Sequence, residues 1–174
     1  MLYLSRCKQK KRRILRSFHM KKVKILIDST LGITFAAERH LNHMVEALSN
    51  CGTFKVLVCV SRPGLIKHTG EDVEEYYFPL AKTSVLSVFH TIFILPLYAH
   101  MKGIRCVYHP WSIGSIWGKF TKILGVHHPG PLFEGELLTL RQRVQNYLIR
   151  KSCEKAALVK CPSEAYAKFL AEKF

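Results

Sequence analysis

Two histidines stand where a strand-like run gives way to a turn. His109 closes Arg105-Cys-Val-Tyr-His109 ahead of Pro110-Trp111, and His127 closes Lys122-Ile-Leu-Gly-Val-His127 ahead of His128-Pro129. An imidazole at such a point can hydrogen-bond a sugar hydroxyl or take a proton as a general base. It can equally be bonded to the backbone of its own loop, and the residues alone leave both readings open. The other strand-ending positions are Asp28 with the Gly32 loop, Ser61 and Ser163. Gly32 would let backbone amides approach a phosphate at the start of the next helix, where unpaired N–H groups favour anions. Leu31-Gly32-Ile33-Thr34 lacks the glycine spacing of a dinucleotide fingerprint, so a plain strand-to-helix turn is the simpler reading of Gly32 in isolation. The chain has no Walker loop, no H-E-x-x-H, no G-x-S-x-G and no paired carboxylates, and His127-His128 with Cys153 or Cys161 has no metal-ligand spacing.

Those positions matter because the elements around them alternate β-rich and helical runs. Strands are expected over 23–28, 54–60, 76–79, 105–109, 122–127 and 157–161, and helices over 35–50, 113–120, 137–156 and 164–174. Leu41, Met44, Val45 and Leu48 form the inner face of the first helix, which Asn50-Cys-Gly52 ends. Leu140, Val144, Tyr147 and Leu148 are expected to do the same for the 137–156 helix. Pro162 stops the last strand, expected to be buried, and Ser163 is placed to cap a helix beginning at Glu164. The pattern predicts an α/β fold, a doubly wound parallel sheet with helices on both faces, whose ligands lie beyond the carboxyl ends of the strands.

The net charge of +15 is unevenly placed. Nine of the 27 Lys and Arg residues, and no acid, fall in residues 1–22, leaving 18 basic against 12 acidic residues beyond them. Residues 1–21 are read as a disordered basic extension preceding a domain over 22–174, with Met20 as an alternative start. They lack the apolar stretch of a secretory signal. A tether to an anionic membrane surface is the sharper reading of that segment. Nucleic acid is disfavoured, because no aromatic residues interleave the positive run to stack bases. Six cysteines with no C-x-x-C pair point to free thiols in a reducing, cytoplasmic setting, with Cys59 and Cys106 as core fillers. Residues 83–101 contain no Lys, Arg, Asp or Glu and match a membrane span in length. Ser84, Ser87, His90, Thr91, Pro96 and His100 dilute the run, which favours a buried or membrane-leaning helix over a true span.

The order of motifs resembles the N-terminal domain of family-4 glycosyltransferases of the GT-B fold. It runs through Lys24-Ile-Leu-Ile-Asp28, Gly32, Glu38-Arg39-His40, Cys106-Val-Tyr-His-Pro110, Leu124-Gly-Val-His-His128, Pro131-Leu-Phe-Glu134, Arg150-Lys-Ser-Cys-Glu-Lys-Ala-Ala157 and Val159-Lys-Cys-Pro-Ser-Glu164. The resemblance covers about residues 22–174 and implies a Rossmann-like acceptor-side half. It further implies a nucleotide-sugar donor as substrate, no metal or other cofactor, and hexose transfer to a glycan or lipid-linked acceptor. On it, His127 is the catalytic candidate at the cleft. Gly32 faces the donor diphosphate, with His109, His128, Ser163 and Glu164 as further donor or acceptor contacts. The family usually has two adjacent glycines after the first strand and an acid after the cleft histidine; here there is one glycine, and His128 replaces the acid. A C-terminal donor half, with its paired glutamates, is the missing partner, and the chain is expected to be inactive without it. The alternative is a non-catalytic, basic, membrane-associated interaction protein.

Overall fold

The computed structural model describes residues 22–31, 35–68, 70–79, 83–127 and 138–173; the 1–21 extension, Gly32 and His128 lie outside them. Among the described residues six strands form one all-parallel sheet: β1 (Val23–Ser29), β2 (Phe54–Val60), β3 (Val73–Tyr77), β4 (Cys106–His109), β5 (Thr121–Gly125) and β6 (Leu158–Lys160). Their order is β3-β2-β1-β4-β5-β6. The chain is thus α/β with a Rossmann-like, doubly wound sheet. The helices are α1 (Phe35–Asn50), α2 (Ser84–Phe89), α3 (Leu95–Met101), α4 (Leu140–Lys155) and α5 (Glu164–Lys173), and a π-helical turn, His90–Ile94, joins α2 to α3.

Alternation along the strands divides the core into two layers. Ile27, Val56, Val58, Val60 and Tyr108 point to the side covered by Leu41 and Val45 of α1. Leu26, Leu57, Cys59 and Val107 point to the side covered by Leu95 and Ala99 of α3. Each fully buried aliphatic side chain contributes roughly 1.5–3 kcal/mol. Both faces of β1 and β2 are covered, which explains their nearly unbroken apolar sequences.

Four expectations need correction, the first being that the strand placed at 76–79 occupies Val73–Tyr77. Residues 113–120 are irregular rather than helical, because their amides are used elsewhere. Gly114 N–H donates to Ser152 Oγ at 2.9 Å, and Ser115 N–H donates to His109 Nε2 at 3.2 Å. On α4, Leu140, Val144 and Tyr147 are exposed while Ile149 and Ser152 are buried, since only the later turns reach the sheet. The last strand, β6, lies at the sheet edge and is half-exposed rather than buried.

Ser84–Met101 is one continuous helical rod with a π turn at its middle. Leu95 N–H bonds the His90 carbonyl five residues back. In that register the next donor would be residue 96, but Pro96 has no N–H. The Thr91 carbonyl instead accepts from Ser115 Oγ at 2.9 Å. The extra residue in the π turn brings both His90 and Thr91 to the buried side.

Candidate functional site

Asp28, next to last in β1, is fully enclosed at the carboxyl edge of the sheet. Its Oδ1 accepts from Thr30 N–H (3.2 Å) and Thr30 Oγ1 (2.7 Å), and its Oδ2 accepts from Thr91 Oγ1 (2.6 Å) and, at a long 3.4 Å, from His109 Nδ1. The Ser115 amide occupies His109 Nε2, so that nitrogen is the acceptor and the ring proton resides on Nδ1, directed at Asp28. Burial pushes the Asp28 carboxyl upward, but the His109 hydrogen bond, aided by the charge His109 and His90 carry once protonated in acid and by the Thr91 hydroxyl, outweighs it and holds the group at about 2. An ionised carboxylate therefore ties the ends of β1 and β4 to the π turn and to the loop after β4. Ser87 Oγ adds a bond to the Thr30 carbonyl at 3.1 Å. Gly114 is required here, since a Cβ would come within 2.8 Å of the His109 ring.

His90 lies beside this network, buried, with its ring 4.2 Å from that of Phe78. Neither nitrogen has a partner among the described residues. Burial lowers its pKa, opposed by the Asp28 charge. The ring is neutral and behaves as a core aromatic.

His127 forms the rim above. It follows β5, half-buried, with its ring centroid 6.0 Å from that of His40 in an edge-on arrangement and 6.0 Å from that of Trp111. The glycine before it in β5 sets this geometry: a Cβ on Gly125 would meet Tyr108 Oη at 3.0 Å, His127 Nε2 at 3.1 Å and the Pro110 carbonyl at 3.1 Å. The Trp111 loop is held tightly as well. Ser112 takes φ 60, Ile113 N–H donates to the Trp111 carbonyl at 2.6 Å, and Ser112 N–H donates to the Gly125 carbonyl at 2.8 Å. Such a left-handed non-glycine turn costs on the order of 1–3 kcal/mol and persists where the surroundings over-determine it. Burial lowers the His40 pKa, and Lys160 and His43 lower it further; Lys160, the last residue of β6, pairs with Gly125, and its carbonyl accepts from Val126 N–H at 2.9 Å, which sets it at the same strand ends. The rim therefore combines two imidazoles, an indole face and an ammonium group. It can stack a sugar or base ring, donate to hydroxyls and attract an anionic group.

The expected site residues separate into groups. His127 lies on the rim, and His109 lies beneath it in the core, with both ring nitrogens engaged. Ser163 Oγ accepts from Tyr166 N–H at 3.2 Å as the cap of α5, and Glu164 pairs with Lys168 at 3.2 Å. Gly32 and His128 lie outside the described residues. Among the described residues no three His, Cys, Asp or Glu side chains gather as a metal would require. His40, Trp111 and Lys160 were not anticipated as rim residues. Their signal is positional, a helix start and two strand ends that the parallel topology brings to one edge. No protein-family model matches the chain, and no curated protein is significantly similar to it in sequence.

Proposed function

We propose that the chain is the acceptor-side half of a glycosyltransferase that moves a hexose from a nucleotide sugar to a glycan or lipid-linked acceptor. The observation that carries this reading is the rim at the carboxyl edge of β4 and β5. The His127 ring lies 6.0 Å from both the Trp111 and the His40 rings there, and Lys160 ends the neighbouring strand β6. An indole face suits the apolar face of a pyranose, and imidazoles suit its hydroxyls. In this reading His127 positions the acceptor or relays its proton. The Asp28–His109 pair is not in contact with substrate; it holds the Trp111–Ser115 loop in place. A second Rossmann-like unit, in the same polypeptide or a separate one, supplies the nucleotide-sugar contacts and excludes water from the cleft.

The test is transfer from a panel of nucleotide sugars, with and without a matching donor half. The 174-residue chain alone should show no transfer. With the donor half restored, His127→Ala should lower turnover by roughly 10²- to 10⁴-fold without lowering the thermal midpoint. Full turnover by that variant refutes the role of His127, and robust transfer by the unaccompanied chain refutes the two-half reading.

A further inference from the structure

We infer that the outward face of the α2–π–α3 rod is a membrane-contact surface that seats the protein on an anionic phospholipid bilayer. Along that face Val85, Phe89, Phe93, Leu97 and Met101 recur every four residues and are 77%, 50%, 50%, 53% and 82% exposed, with Leu86 beside them. The rod, Ser84–Met101, carries no Lys, Arg, Asp or Glu. Eighteen residues make an apolar strip roughly 27 Å long, far from the scattered single hydrophobics of an ordinary surface.

The opposite face shows that the rod does not cross the bilayer. Ser87, Thr91 and Leu95 are buried against the sheet, and Thr91 bonds the ionised Asp28. Only one side is available to lipid, as in a helix lying in the interface with its apolar face about 5–10 Å deep.

Charge identifies the occupant. At the Met101 end, Lys24 and Lys55 share the sheet side of Leu26 and Leu57, which α3 covers; Lys22 and Arg105 directly precede β1 and β4, and Lys102 follows α3. Lys22 pairs with Asp72 and Lys55 with Glu74. Lys24 Nζ donates to the Lys102 carbonyl at 2.9 Å. Lys24, Lys102 and Arg105 form no ion pair among the described residues, although Lys24 and Lys102 lie within the field of Glu74, which is already paired with Lys55. Residues 1–21, with eight Lys and Arg and no acid, join the described chain at Lys22, at this same edge. A second copy would bring like charges together, whereas an anionic lipid surface complements them, each basic residue near it adding roughly 1 kcal/mol of attraction, or about fivefold in affinity.

The experiment is flotation of the full chain with vesicles of phosphatidylcholine, alone or with about one-third phosphatidylglycerol. The anionic vesicles should bind the chain, and raising salt from ~0.1 to ~0.5 M should weaken binding at least tenfold. F89Q/F93Q should weaken it at least tenfold with an unchanged circular dichroism spectrum and thermal midpoint. K102Q/R105Q should weaken binding to the anionic vesicles alone. As a fold-preserving check, Phe93→Trp should shift its fluorescence to the blue on vesicles. Unchanged binding by F89Q/F93Q, or no blue shift at position 93, overturns the proposal. A lipid-independent dimer abolished by F89Q/F93Q assigns the face to a second copy instead, and carbonate-resistant insertion assigns it to a span; either result also overturns it.

Discussion

Replacing Asp28 by Asn separates charge from shape at the centre of the molecule. Asn keeps the volume but has one acceptor atom where the carboxylate has two. If its oxygen faces Thr30, its amide group opposes the His109 Nδ1 proton. Moving that proton to Nε2 only transfers the clash to the Ser115 N–H, now 3.2 Å from Nε2. If the amide is turned over, its NH₂ opposes Thr30 N–H. Every arrangement leaves a buried donor without an acceptor, which costs about 1–3 kcal/mol. The proton affinity gives an independent scale. A carboxyl held at about 2 rather than 3.8 corresponds to roughly 2 kcal/mol, at 1.36 kcal/mol per tenfold change in affinity. The two figures agree, so the expected loss is about 1–3 kcal/mol at pH 7, or roughly 2–12 °C in thermal midpoint for a chain of this length. The sign with pH is fixed. The folded value lies below the unfolded one, so the unfolded chain binds more protons in between. The contribution is complete above the unfolded value and is lost as pH falls from 3.8 towards 2. Urea unfolding of wild type and D28N from pH 7 down to pH 3 measures both quantities. A variant within about 0.5 kcal/mol of wild type at pH 7, or one retaining the same acid slope, refutes a charge-dependent network.

His90→Phe should be neutral or stabilising and should remove the part of the acid sensitivity that begins as pH falls below the ordinary histidine value of 6.5, because the unfolded histidine takes up a proton that the buried ring resists. A loss above about 1 kcal/mol in urea unfolding would mean that His90 has a hydrogen-bonding role. Gly114→Ala should cost about 1–3 kcal/mol, since the His109 ring it meets at 2.8 Å is held at both nitrogens; an unchanged midpoint would show that the ring is free to move. Leu140→Lys with Val144→Lys should leave stability within about 0.5 kcal/mol, because both side chains are exposed on α4; a larger loss in thermal unfolding contradicts that placement.

Much of the fold was legible because period and punctuation agreed. The apolar runs ending at Asp28 and Val60, the Leu41–Met44–Val45–Leu48 face and the Ser163 cap all occur where the pattern places them. The segment 113–120 was misread because tertiary partners, invisible to local propensity, hold its amides. Leu140, Val144 and Tyr147 were misread because helical spacing reports that a face is apolar and not what covers it. At the site, His127 and His109 were found as strand-ending histidines that their own residues left unranked, and only the family resemblance set His127 first. The difference lies in Ser115, six residues beyond His109, whose amide turns that ring inward. Thr91 and Ser87 were visible as polar residues diluting an apolar run; their shared face with His90 points to the buried carboxylate they serve.

The composition of that run has two separate physical causes, which is why it imitates a membrane span. On its inner side a charged residue could not replace Ser87 or Thr91, because the space beside Asp28 is closed and every acceptor of the carboxylate already has a short-range donor. Small hydroxyl groups suffice there, and Leu95 and Ala99 fill the rest of the layer. On its outer side no such constraint acts. The comparable solvent side of α1 carries Arg39, His43 and Glu46, as a helix facing water can. Phe89, Phe93, Leu97 and Met101 in equivalent positions are not explained by packing within the described chain. The absence of charge is structural on one face of the rod and consistent with lipid contact on the other. Substitutions at Thr91 should therefore be read in unfolding experiments, and substitutions at Phe93 in vesicle binding.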